Sequence, residues 1–192
     1  MLPSEMDRAG RLALATIRAI ERAAFLDPVA TGLTPVVDWL SRPTMLGHLL
    51  KGTWLGHSVH PLLTDFTEGP WMAASFLDLF GPPGSSRASR RLLGFGLVMA
   101  VPTYLAGLAD WTEAEDEAER RVGVVHLATV SSAIALYVGS YLARVSGRQR
   151  RATALGLAGG LIALVDGYVG GHMGHAYGIA VGETVPKQRG RS

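Results

Sequence analysis

Two histidines three residues apart, His57 and His60, precede a proline and an apolar run that carries Asp65 and Glu68. Imidazole and carboxylate together ligate iron, zinc or manganese, and they also pass protons. A second pair, His172 and His175, has the same spacing, which puts both side chains on one helix face. His126 stands near the start of another apolar segment, Asp110 and Asp166 stand near the ends of two more, and His48 lies upstream. Two chemistries suit this set. One is a b-type haem, for which His60, His126 and His172 are the candidate axial ligands. The other is a transition metal, iron or zinc, held by His57, His60, His126, His172 and His175 with Asp65 and Glu68. A carboxylate orients a ligating imidazole by accepting its other N–H, a role open to Asp65, Asp110 and Asp166, and Asp65 is expected to take it for His60.

The elements that must position these groups are helical. Pro61 fixes its own φ and lacks an N–H, so it suits the first turn of a helix that begins beside His60. Four apolar segments follow, Leu62 to Phe80, Leu92 to Ala109, Val122 to Leu142 and Ala154 to Val169. Each is about as long as ~30 Å of hydrocarbon requires at ~1.5 Å per residue. Gly, Ala, Ser and Thr are frequent in all four, which suits close helix approach in lipid. Polar links at residues 81–91, 112–121 and 143–151 are short, so neighbouring segments run antiparallel. The expected fold is all-α, a four-helix antiparallel transmembrane bundle with an N-terminal amphipathic helix. Segments two to four have almost no charges with which to face water, as a soluble bundle would require. The topology brings the histidines to one membrane face. The opposite loops carry Arg87, Arg90, Arg91, Arg144, Arg148, Arg150 and Arg151, which argues weakly that they are cytoplasmic.

Residues 4 to 26 read as the amphipathic helix, opened by a Ser4 to Asp7 capping pattern, with Arg11, Arg18 and Arg22 off its apolar face. It packs on the bundle or on a second copy, or lies in the headgroup plane. Residues 28 to 54, with Pro28, Pro35 and Pro43, read as short helical turns and loop. Trp54, Trp71 and Trp111 are expected as interface anchors. Ser131 and Ser132 are expected to bond backbone carbonyls. The glycine pairs Gly159–Gly160 and Gly170–Gly171 are expected at close helix contacts. Hydrophobic residues make up 48% of the chain, charged ones 18%, and mean hydropathy is +0.22, a balance that leans to membrane. A net charge of +2 without a basic aromatic stripe argues against nucleic acid. The absence of cysteine excludes disulfides, thiolate zinc and cysteine-ligated clusters within the chain. No cleavable signal peptide is expected at its start. The expected division is 1–53 for the amphipathic helix and lead-in, 54–182 for the membrane domain and 183–192 for a basic tail.

The runs W-L-G-H-S-V-H-P-L-L-T-D-F (Trp54 to Phe66), P-T-Y-L-A-G-L-A-D-W (Pro102 to Trp111), R-V-G-V-V-H (Arg121 to His126) and G-Y-V-G-G-H (Gly167 to His172) resemble a bacterial family of four-helix membrane proteins, domain of unknown function 2231. The likeness covers roughly residues 54–182. It departs from the family pattern at Thr67, Glu68 and Pro70, and again where Met173, Gly174 and His175 precede Ala176 and Tyr177. The resemblance implies a multi-pass protein of the bacterial inner membrane. Some relatives are fused to Rieske iron–sulfur domains, which implies a redox partner of that kind. Three functions are open: a redox-linked module holding haem b or a metal at its histidine-rich end, a cofactor-free scaffold for a partner protein, and a proton or small-solute relay. A homo-oligomer is also open, and the residues leave undecided whether the chain is an enzyme.

Overall fold

The computed structural model describes residues 3–180, with side chains from Arg8 onward. The Ser4–Asp7 cap and the basic tail expected over 183–192 lie outside the described side chains and residues. Seven α-helices follow in order: α1 (Pro3–Glu21), α2 (Asp27–Leu40), α3 (Met45–Lys51), α4 (His60–Phe80), α5 (Ser86–Asp110), α6 (Glu117–Val145) and α7 (Gln149–His172). A 3-10 turn joins α1 to α2, and a π-helical turn over Met173–Tyr177 extends α7.

The lead-in, expected as short helical turns and loop, holds two helices. Pro28 sits in the first turn of α2, where its missing N–H is harmless. Pro35 lies inside α2, yet Thr31, whose carbonyl loses its partner, is exposed and can be solvated. Thr44 opens α3 by accepting from Gly47 N at 3.2 Å, and Gly52, at φ 67°, ends it in the left-handed region. The acids before α6 have a structural task. Asp116 accepts from Glu119 N at 2.9 Å, and Glu119 accepts from Glu115 N at 2.7 Å. That reciprocal cap also places negative charge at a helix N-terminus.

Among the described residues, three helical stretches are long and apolar enough to cross a membrane: Ser86–Glu113, Glu117–Val145 and Gln149–Tyr177. The fourth expected segment, α4, is not among them, because Asp65, Glu68 and Asp78 lower its hydropathy. α4 nevertheless packs along α5 as closely as α6 packs along α7. The two hairpins meet through α5 with α6 and α4 with α7.

They also meet across the middle, and the positions that meet are equivalent. His60, Trp71 and Asp78 are spaced along α4 as His126, Tyr137 and Arg144 are along α6. Gly96 and Gly107 are spaced along α5 as Gly159 and Gly170 are along α7. Trp71 stacks on Tyr137 with ring centroids 4.1 Å apart, and Asp78 pairs with Arg144. Contacts between equivalent residues are what a two-fold relation along the bundle axis produces. Between helices in lipid, van der Waals fit and polar bonds replace the hydrophobic drive. The glycines supply that fit: a Cβ on Gly96 would lie 2.4 Å from Trp71 Nε1, and one on Gly159 would lie 3.4 Å from the Tyr137 ring.

Three sequence expectations change here. Trp71 is only 2% exposed and forms part of the core, not an interface anchor. Arg144 belongs to the last turn of α6 and is buried against Asp78, not displayed in a loop. Helix α1 ends at Glu21, short of the expected residue 26. Ser131 and Ser132 do bond the carbonyls of Leu127 and Ala128, at 2.6 and 2.7 Å.

Candidate functional site

A cavity of about 470 Å³ lies between the hairpins at the histidine end. Along α5 it runs from Ala100 to Trp111, roughly 16 Å at ~1.5 Å per residue. Trp71 and Ile134 line its deep end, and His175 and Ala180 line the other.

His60 and His126 both line this cavity. Helix α4 begins at His60 because Pro61 follows it, and Ser58 Oγ accepts from His60 N at 3.1 Å. His60 Nδ1 donates to the Thr103 carbonyl at 2.9 Å, since a carbonyl can only accept. His126 Nδ1 lies 2.8 Å from Asp166 Oδ1, an electrostatic contact off the N–H axis rather than an aligned hydrogen bond. Thr129 Oγ1 donates to the same carboxylate oxygen. Each ring also rests on a glycine of the partner helix in its hairpin. A Cβ on Gly107 would lie 2.9 Å from His60 Cε1, and one on Gly170 would lie 3.0 Å from His126 Cε1. His60 is thus held through Nδ1 by a hydrogen bond, whereas His126 Nδ1 only lies against the Asp166 carboxylate.

The polar lining is acidic. Asp65, Glu68, Asp110 and Asp166 contribute, and no lysine or arginine does among the described residues. Asp110 is 1% exposed; its Oδ2 accepts from Ser58 Oγ at 2.5 Å, and its Oδ1 has no partner. Thr67 and Thr103 hydroxyls, 2.8 Å apart, tie α4 to α5 beneath His60.

The remaining expected ligands are placed differently. His57 is exposed, with Nδ1 2.8 Å from the Ser58 carbonyl, and it does not line the cavity. His172 does not line it either; its ring meets Tyr177 edge-on at 5.1 Å. His175 lines the cavity, but it is exposed and Nδ1 bonds the Gly171 carbonyl at 2.8 Å. Among the described residues no group of three or more His, Asp or Glu is disposed to hold a metal ion. The i,i+3 clips do not close because one histidine of each pair turns away from the cavity. Asp65 does not orient His60; the Thr103 carbonyl does. Thr103, Gly107 and Gly170 were not singled out as site residues, and the matched spacings in the two hairpins were the available signal.

A family model described as "Predicted membrane protein (DUF2231)" matches residues 56–183. The chain belongs to this family. No match was found among curated proteins or among solved structures. Membership and three apolar stretches of spanning length make this DUF2231 chain a membrane protein, and the family description assigns it no activity.

Proposed function

We propose that this DUF2231 protein is a redox-linked membrane module that holds haem b on His60 and His126. One observation carries the reading: equivalent histidines of two like hairpins line one cavity, each seated on a glycine, His60 bonded to the Thr103 carbonyl and His126 against the Asp166 carboxylate. Haem b would be held by these two rings, which come from different helices of the bundle. Bound there, haem would supply one-electron chemistry. The chain's own residues would do the rest. Thr103 would fix the His60 ring, Asp166 would lie against the His126 ring, and apolar walls such as Leu127 and Val130 would keep water out.

In this reading α4 is a fourth span. Leu62, Phe66, Met72, Phe76 and Leu79 give it an exposed apolar face, while Asp78 is buried and Glu68 turns to the cavity. The Asp78–Arg144 pair lies beyond the deep end, so a redox partner, Rieske-like or other, would approach from the histidine end. A bacterial inner membrane is the expected setting.

The test is the visible spectrum of the detergent-purified chain, expressed with ample haem supply. A Soret band is expected, lost in His60→Ala and in His126→Ala and kept in His172→Ala. A colourless, folded protein would leave the scaffold reading in its place. A second reading, a proton or cation relay, is favoured by the acidic lining. Proton flux into liposomes that falls in Glu68→Gln would support it, and unchanged flux would remove it.

A further inference from the structure

Helices α1 to α3 lie outside the region that the family model matches, and they form a distinct surface at the histidine end. Among the described side chains of α1 only Ile17 is buried. It packs with Val122, Val169 and Met173, at the histidine ends of α6 and α7. Arg8, Arg11 and Arg18 fall within about 80° of one another around α1, on the side away from Ile17, at ~100° per residue. Arg22 follows one turn on, and all four are exposed. Arg11, Arg18 and Arg22 line a shallow groove with Leu14 and Ala15.

The next two helices show the complementary chemistry. Val37 and Leu40 of α2 dock on Ala106, Leu108 and Ala109 of α5. Beside them Val29, Val36 and Trp39 of α2 and Met45 and Leu49 of α3 are exposed. Phe25, at 79% exposure, and Trp54, at 61%, flank them. An arginine stripe beside an apolar face rich in large side chains, set at one end of membrane-spanning helices, has the two parts that an anionic bilayer surface binds. An acidic protein would satisfy the arginines and leave the apolar faces of α2 and α3 to water.

We infer that α1 to α3 form a collar that docks on anionic phospholipid at the histidine end. The arginines of α1 take the lipid phosphates, and the outer faces of α2 and α3 enter the acyl boundary. The collar is fastened to the cavity mouth. Arg121 donates to Asp27 at 2.6 and 2.8 Å and to the Glu21 carbonyl at 2.8 Å, and Tyr177 OH donates to Glu21 Oε1 at 2.6 Å. The inference does not depend on what occupies the cavity.

The chain has no cysteine, so single ones can be placed in the full-length protein. Leu14→Cys and Val36→Cys, each carrying an environment-sensitive fluorophore, are reconstituted in phosphatidylcholine vesicles with or without about one part in four of phosphatidylglycerol, an anionic lipid. The Val36 probe should be shielded from aqueous iodide in both. The Leu14 probe should be shielded only with phosphatidylglycerol, and high salt should release it. Replacing Arg8, Arg11, Arg18 and Arg22 by Gln should abolish that response, at about five-fold in partitioning per arginine, and replacing them by Lys should preserve it. A Val36 probe open to iodide in every vesicle, or a Leu14 probe indifferent to phosphatidylglycerol, overturns the collar. The Soret test is separate: it fails or holds without moving either probe.

Discussion

The buried pair between Asp78 and Arg144 permits a quantitative test of how the two hairpins are joined. Both side chains are 2% exposed, and both belong to equivalent positions on α4 and α6. Asp78 Oδ1 accepts from Arg144 Nη1 at 3.0 Å and from Ser89 Oγ at 2.7 Å, while Arg144 Nε has no partner. Asp78→Leu strands a guanidinium at this depth, and Arg144→Met leaves a carboxylate with one hydroxyl. Removing one partner of a buried ion pair costs about 3–5 kcal/mol. At ~2–4 °C per kcal/mol for a chain of this size, each single variant should melt about 6–20 °C lower. Asp78→Leu with Arg144→Met removes both charges, and its cost should be close to zero, or negative by about 1–4 kcal/mol. The coupling in the double-mutant cycle should then be about 6 kcal/mol or more, the sum of the two single losses. Exchanging the charges, Asp78→Arg with Arg144→Asp, should recover most of the loss if the hairpins are related by a two-fold. The shortfall should be about 1 kcal/mol, because Ser89 faces Asp78 while Ala152 is its counterpart in α7. Thermal unfolding in one detergent, followed by circular dichroism, measures all four. Single variants whose effects simply add in the double, or an exchange no better than the singles, would refute the reasoning.

Two further outcomes are expected. Gly107→Ala should weaken both the fold and any Soret band, because the new methyl lies 2.9 Å from His60 Cε1 and the ring must leave the Thr103 carbonyl; Gly32→Ala, with open space around it, should instead gain about 0.5–1 kcal/mol, and melting curves with spectra compare the two. The Arg121 guanidinium, by hydrogen bond and then by charge and against some desolvation, holds the Asp27 carboxyl below its usual range. A carboxyl with a lowered folded value stabilises above its unfolded pKa of ~3.9 and loses that contribution as pH falls through the folded one. The melting difference between wild type and Asp27→Asn should therefore be constant near neutrality and close as the solution is acidified below about pH 4, followed by pH-dependent thermal unfolding.

Helicity, antiparallel hairpins and a histidine-rich end were legible because each follows from local pattern. Long apolar runs with short polar links admit few other arrangements, and Pro61 marks a helix start. The lead-in helices run longer than its prolines suggest, because Pro28 sits in a first turn and Pro35 releases a carbonyl that is exposed. Trp71 looked like an anchor because tryptophan near a segment end usually is one. Its burial depends on Gly96, distant in sequence, and on Tyr137 in the other hairpin.

What the linear order of residues settled was the family, the helical class and the depth at which imidazoles and carboxylates gather, since rise per residue and apolar length fix depth without knowledge of neighbours. Rotation about each helix axis was decided only by packing. A turn of α4 that buries Trp71 on Tyr137 also aims His60 at the cavity, and the corresponding turn of α6 aims His126 there. The ends of α4 and α7 hold no such partner for His57 and His172, which is why five of the seven expected ligands line the cavity and these two do not. Helix phase is a property of pairs of surfaces, and one helix's sequence states only half of each pair.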